Sequence, residues 1–317
     1  MWQRWERITT ADKAWSTFFN DDPSTDLSLM RGGIGVPMKI DLVVWTSDSE
    51  RTLDQSLNSI ENAIPAINTC HKIAVDGGSR DKTVAILNGH GWEVFSSPRG
   101  IPHQANRALS LVDSEYYASF EHDILLSPNW LPRMERLIQD PKAAVAQGIR
   151  IFNGSRVFEA IEKYQLQTGR FPKWFYSLDN NLYKTEIIRQ IGGYPRLCPV
   201  STDGVLRQAV LKAGYSWLTD LDCISYHLRR SYWHQLTHRI RGYMYRRFFD
   251  WQGPGSESFP KLLGGVFLSP ISGARIARHQ RVPSVFVAYP IYRYIMFNHY
   301  LHAYTKRRLR PDIPLPK

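Results

Sequence analysis

Tyr116-Tyr117-Ala118-Ser119-Phe120-Glu121-His122-Asp123 is a short apolar run that stops at an acid-x-acid element. Its length, aromatic content and abrupt polar end predict a buried strand. The same kind of run occurs three times upstream, at Ile40–Trp45 (IDLVVW), Lys72–Val75 (KIAV) and Trp92–Phe95. Between these runs the apolar residues switch to helical spacing: Leu53, Leu57, Ile60 and Ile64, then Val84 and Leu87, then Ala105, Leu109 and Val112. Four alternations of strand and helix predict an α/β fold, a Rossmann-like, mostly parallel sheet with helices on both faces. Such sheets bind ligands beyond the carboxyl ends of their strands. Asp76 and Glu121-His122-Asp123 both fall at such ends.

Further downstream the pattern is mixed. A strand is expected at Ala143–Ile151, a helix near 156–167 and a short strand at Asn181–Tyr183. A helix runs from about Asp203 to Ala213, where Gly214 stops it, and a last strand pair ends at His227. Upstream of the sheet, residues 1–38 are a polar extension that ends in the glycine-rich Arg31-Gly32-Gly33 joint.

The 317 residues are 43% apolar and 22% charged, which excludes collagen-like, low-complexity and wholly disordered chains. Three scattered cysteines (Cys70, Cys198, Cys223) predict neither a disulfide framework nor a zinc cluster. No apolar run follows Met1–Arg7, so a secretory signal is not expected and the reading is cytoplasmic. The net charge of +11 is unevenly placed. Residues 1–227 carry 24 Lys+Arg against 26 Asp+Glu, whereas residues 228–317 carry 16 against 3. The second region also holds 16 of the 40 aromatics. Its arginine- and aromatic-rich run at 231–251 suits a helix, and Lys306-Arg307-Arg308-Leu309-Arg310 is a polybasic cluster. The uncharged stretches Leu262–Ala274 and Val282–Tyr292 fall short of the ~20 apolar residues a spanning helix needs. Three regions follow: an extension at 1–38, a sheet domain at 39–227, and a basic, aromatic helical region at 228–317 that suits a membrane interface. A helical subdomain packed on the sheet, or forming a dimer, fits the same residues.

Each motif alone also suits a plain structural role. Asp76-Gly77-Gly78-Ser79-Arg80-Asp81-Lys82-Thr83 is a strand-to-helix turn in which Asp81 can cap the helix. Asp76 at its head is placed to accept a hydrogen bond from a bound base. Glu121 and Asp123 can aim two oxygens at one hard cation that keeps sites for water and phosphate. Thr202-Asp203 precedes a helix and suits a cap, which does not preclude catalysis. His227 is either a half-buried strand histidine or a further ligand beside Asp123.

Their order is more specific than any one of them. LVVWTSDSERTLDQSLNSI, VDGGSRDKT, RGIPHQANRAL, YYASFEHDILLSPNWL, IGGYPRL and STDGVLRQAVLKAGYSW, followed by His227, resemble the inverting nucleotide-sugar glycosyltransferases of family 2, which have the GT-A fold. The resemblance covers about residues 39–227. It implies that Thr46 and Asp48 lie where the first strand's loop touches the nucleotide base, and that Asp76 belongs to the base-binding turn. It implies that Glu121 and Asp123 are the Asp-x-Asp pair, Asp123 as the principal metal ligand and Glu121 serving ribose or metal. Asp203 matches the catalytic base, and His227 the late histidine near the metal. Four positions depart from the pattern: Gly77 replaces the turn's second Asp, Glu121 is one methylene longer, Trp45 stands where proline is frequent, and Thr202 stands where Glu usually precedes the base.

The implied reaction moves a sugar from a UDP- or GDP-linked donor to an acceptor hydroxyl or phosphate, with Mn2+ or Mg2+ as cofactor. Glycan assembly is the implied setting. The basic, aromatic C-terminal region points to a lipid-linked acceptor and to peripheral binding at the inner face of the cell membrane. Two rivals are weaker. A nucleotidyltransferase would want a glycine- and lysine-rich phosphate loop after the first strand, and Trp45-Thr46-Ser47-Asp48 is not one. A non-enzymatic protein binding nucleic acid or membrane would use the same positive charge, but no nucleic-acid motif is present, so no nucleic-acid partner is expected.

Overall fold

A computed structural model describes residues 37–171, 177–196, 202–228, 232–233, 236–237 and 259–309, with side chains through 302. The extension at 1–36, the 238–251 part of the basic aromatic run and the side chains of Lys306–Arg310 lie outside the described residues. Met38–Lys317 clusters as one compact unit.

The first half alternates as expected: β1 (Ile40–Thr46), α1 (Leu53–Ala63), β2 (Thr69–Asp76), α2 (Thr83–Gly89), β3 (Glu93–Ser96), α3 (Ile101–Leu111) and β4 (Tyr116–Glu121). A two-residue strand β5 (Ile124–Leu125) comes next, then α4 (Trp130–Ile138), β6 (Ala143–Phe152) and α5 (Arg156–Gln167). After these come β7 (Asn181–Lys184), α6 (Thr185–Gln190), α7 (Thr202–Lys212) and β8 (Ser216–His227). Three helices follow: α8 (Phe259–Phe267), α9 (Ser269–Gln280) and α10 (Val285–Leu309).

The eight strands form one sheet in the order β3-β2-β1-β4-β7-β6-β8-β5. β3, β2, β1 and β4 are parallel neighbours, as are β6 and β8, while β7 and β5 pair antiparallel. This is the mostly parallel α/β sheet expected.

Alternation along β1 divides the core. Ile40, Leu42 and Val44 pack with Leu53, Leu57 and Ile60 of α1 and with Trp130 and Met134 of α4. Val43 and Trp45 point to the other face, against Ala105 and Leu109 of α3 and Leu206 and Val210 of α7. Helices cover both faces for that reason.

One expectation needs correcting. The strand pair expected before His227 is a single strand, β8, with a bulge. Its register against β6 jumps from Gly148↔Asp220 to Ile149↔Ile224. Asp220 Oδ1 accepts the Asp222 N–H at 2.9 Å, so the acidic stretch turns locally without ending the strand.

A third cluster joins the C-terminal helices to the sheet. Phe152 of β6 and Phe158 and Ile161 of α5 pack with Ile276 of α9 and with Val285, Tyr292 and Met296 of α10. Phe158 meets Tyr292 edge-on at 5.4 Å.

Candidate active site

Two side-chain groups sit at neighbouring strand ends. The first is built on β1 and β2. Thr46 Oγ1 donates to Asp76 Oδ1 at 2.9 Å across the parallel pair. Asp76 Oδ2 accepts the Gly78 and Ser79 N–H groups at 2.9 and 2.7 Å, and the Ser79 hydroxyl donates to Oδ1. A carboxylate offers about four lone-pair sites, and four hydrogen bonds occupy them. Asp76 therefore builds the turn itself. Gly78 takes φ +83°, a conformation open to glycine. At Gly77 a β-carbon would lie 3.2 Å from the Arg99 backbone and 3.3 Å from the Gln104 amide, a close approach that suits glycine.

Asp48 is exposed and left-handed (φ +49°) in the loop after β1. Its N–H donates to Ser79 Oγ at 2.9 Å and its Oδ1 accepts the Arg80 N–H at 3.0 Å, so the two loops are laced together. Asp81 Oδ1 accepts the Thr83 N–H at 3.0 Å, an Asx turn one residue before the N-cap of α2. That N-cap is Lys82, which makes no side-chain capping bond, so Asp81 shapes the turn and is not the cap expected. Gln104 completes the group. Its amide donates to Thr46 O and Val75 O at 2.7 and 2.9 Å, tying together the ends of both strands.

The second group lies one strand further on. β1 sets Trp45 opposite Glu121 on β4. After the turn at His122-Asp123, β5 pairs with β8 and sets Ile124 opposite His227. The Leu228 N–H donates to Asp123 O at 2.7 Å and closes the pair. His227 Nε2 then lies 2.8 Å from Asp123 Oδ1 and 3.4 Å from Glu121 Oε2. The structure thus brings the three expected metal-site residues together.

Behind them stand two residues that the sequence reading missed. Arg150 Nη1 is 2.8 Å from His227 Nδ1, and Arg150 Nε lies 2.8 and 2.7 Å from the two oxygens of the fully buried Asp179. A guanidinium only donates, so Nδ1 is the acceptor and the imidazole proton rests on Nε2, aimed at the acids. Phe152 stacks on the ring at 5.5 Å. A single arginine in the apolar strand AAVAQGIRIF was the available signal, since a buried charge needs a partner.

Burial works to raise the Glu121 carboxyl. The hydrogen bond from His227, with the charge of Arg150, outweighs it and holds the group below the ordinary carboxylate range. Burial likewise works against the charge of Arg150, but Asp179 and Glu121 raise its pKa. Glu121, Asp179 and His227 each offer a ligand atom within 4.8 Å of the others. Carboxylate oxygens with one imidazole nitrogen fit a divalent cation of the Mn2+ or Mg2+ class.

Asp203 stands on a third element. It opens α7 half-buried, and its Oδ1 accepts the Gly204 N–H at 2.7 Å. That bond runs to the next residue within the first turn, so it is not an N-cap bond to the second or third helical N–H. Thr202 beside it is buried.

The profile of glycosyl transferase family 2 matches residues 41–211, more than half of the chain. The chain belongs to glycosyl transferase family 2. This family 2 chain has the fold of a mannosyltransferase from Pyrobaculum calidifontis solved in complex with GDP-Man and Mn2+, with a TM-score of 0.59 at 16% identity over 90% of this chain and 92% of that one. A glucosyl-3-phosphoglycerate synthase from Mycobacterium tuberculosis, solved with Mn2+, UDP and phosphoglyceric acid, gives a TM-score of 0.49 at 16% identity over 69% and 80%. TarS of S. aureus gives 0.48 at 15% identity over 73% of this chain and 43% of that one. No curated protein matches the chain.

Proposed function

We propose that this family 2 enzyme moves a sugar from a UDP- or GDP-linked donor to an acceptor hydroxyl or phosphate in one inverting displacement. The observation that carries the reading is the meeting of Glu121, Asp123 and His227 at the ends of β4 and β8, beside the turn that Asp76 builds. From β2 across β1 to β4 is two strand spacings, about 10 Å. A nucleoside diphosphate lies along that edge with its base at the Asp76 turn and its phosphates at the acids. Thr46 and Asp48 shape the base end through their bonds to Asp76 and Ser79.

Glu121 and Asp123 would hold Mn2+ or Mg2+. His227, expected as a further ligand, would instead position the two acids through its Nε2–H, because Nδ1 already accepts from Arg150 and loss of the Nε2 proton would leave an imidazolate. When bound, the cation supplies charge stabilisation to the departing diphosphate, worth several kcal/mol. Arg150 keeps His227 oriented from behind and offsets part of the acidic charge. Asp203 accepts the proton of the attacking hydroxyl, a contribution of about 10²–10⁴-fold. One base and a stabilised leaving group make a single displacement, whereas hydrolysis of a glycoside uses two flanking carboxylates.

The mannosyltransferase solved with GDP-Man and Mn2+ is the precedent for this donor class on this fold. The acceptor we infer is lipid-linked, in glycan assembly, and reached at the inner membrane face by a peripheral protein. The support is the charge balance of residues 228–317, 16 Lys+Arg against 3 acids. Among the described residues no helix is long and apolar enough to cross a membrane.

The test is a panel of nucleotide sugars offered to purified protein with Mn2+ or EDTA. Mn2+-dependent release of nucleotide from one donor is expected. No turnover and no thermal stabilisation with any donor would overturn the proposal.

A further inference from the structure

α10 is apolar on two opposite faces. Val285, Tyr292, Met296 and Tyr300 form the buried stripe that packs into the third core cluster and its surroundings. Val287, Ile291 and Tyr294 recur at i, i+4 and i+7 on the other side, and they are 60%, 46% and 58% exposed. A helix of a globular protein ordinarily turns a polar face to water. The turn from α8 into α9 adds Phe267, Leu268 and Ile271, at 74%, 60% and 55% exposure. Phe259 and Phe286 of these helices are exposed as well, whereas the described sheet domain exposes Ile67, Leu211 and Leu221.

The charge along these helices is of one sign. From Phe259 to Leu309 there is no Asp or Glu, while Lys261, Arg275, Arg278, Arg281 and Arg293 precede the Lys306-Arg307-Arg308 run. Arg275, Arg278 and Arg281 are exposed along the outer side and end of α9. Exposed apolar groups beside the exposed Arg275, Arg278 and Arg281 match an anionic lipid surface, which offers negative headgroups above an apolar layer. A second copy meeting it through this same face would set like charge against like.

We propose that α8, α9 and α10 dock on an anionic membrane, with Phe267, Leu268, Ile271, Val287, Ile291 and Tyr294 entering the headgroup boundary. The inference deepens the lipid-linked reading of the acceptor and names the face that meets the bilayer. The layer is fixed to the active site through Phe152, which packs with Ile276 and Val285 on one side and stacks on His227 on the other. The docked face and the site therefore hold a constant relation to each other.

Flotation of the full chain tests this, with vesicles of phosphatidylcholine plus phosphatidylglycerol and vesicles of phosphatidylcholine alone. The protein floats with the anionic vesicles and at least about tenfold less with the neutral ones. Phe267→Ser with Leu268→Ser, and separately Val287→Ser with Ile291→Ser, each lower partition at least about tenfold. Both variants keep the wild-type melting temperature, because the replaced groups face outward. Failure of the wild type to float overturns the proposal. So does flotation unchanged by both variants and abolished by salt, which assigns binding to charge alone. A wild-type dimer that the substitutions convert to monomers, without flotation, overturns it in favour of self-association. Mn2+-dependent nucleotide binding, measured on the same samples, separates the two readings. Its loss with flotation intact removes the enzymatic reading and leaves the docking face standing.

Discussion

His227 is held by contacts on every side: Arg150 at Nδ1, Asp123 and Glu121 at Nε2, and Phe152 across the ring. Asp179 anchors that arrangement, because it pairs with the arginine that reaches the histidine. Asp179→Asn removes the charge while keeping the shape. We expect a loss of up to about 3–5 kcal/mol in denaturant unfolding, the range for breaking a buried pair. Asp203→Asn should lower transfer by about 10²–10⁴-fold while nucleotide binding stays near wild type. An equal loss of both would make Asp203 a structural residue of the α7 first turn only. His90 is a separate case, remote from catalysis. Burial works to lower its pKa, but hydrogen bonds to Asp54 and Glu61 raise it above the ordinary histidine value. A raised folded pKa gives stability that is present in full below the unfolded value of about 6.5. It fades as pH climbs through the folded value. The melting-temperature gap between wild type and His90→Gln should therefore be wider at mildly acidic pH than at alkaline pH, by about 1–3 °C.

At the scale of elements, β6 and β7 meet with no room to spare. A β-carbon on Gly148 would stand 2.8 Å from the Asn180 carboxamide, which donates to Ile149 O and follows Asp179 in the chain. Gly148→Ala should cost about 1–3 kcal/mol in thermal unfolding and weaken cation-dependent nucleotide binding through Asp179. An unchanged stability would mean that Asn180 moves freely. The parallel half of the sheet was legible because its strands are short, mostly apolar runs and their helices repeat at 3.6 residues. Thr46, Asp76, Glu121 and Asp123 fall at strand ends, so their neighbourhood followed from topology alone. Arg150 and Asp179 were not legible in the same way. They meet across 29 residues, in the part of the sheet where β7 runs antiparallel, and no local period encodes that register. Gln104 is hidden likewise, one amide on a helix that reaches two strand carbonyls. The bulge in β8 passed for a turn because Asp220 and Asp222 have turn chemistry inside a continuous strand.

Over the whole molecule, the described C-terminal helices add exposed apolar residues and the exposed Arg275, Arg278 and Arg281 to the sheet. The sequence showed the sign and the location of the basic charge. Only the fold shows which residues of α10 face inward, since both stripes of that helix are apolar. These helices and the sheet share Phe152, and the sheet brings acids from β4 and its following turn to a histidine from β8. The central claim is that this meeting point takes a divalent cation together with a nucleoside diphosphate. Calorimetric titration of UDP and GDP into the protein, with Mn2+ and then with EDTA, tests it most directly, alongside Asp123→Ala. The account predicts binding of one nucleotide with Mn2+, its loss in EDTA and its loss in Asp123→Ala. Equally tight binding in all three would contradict it.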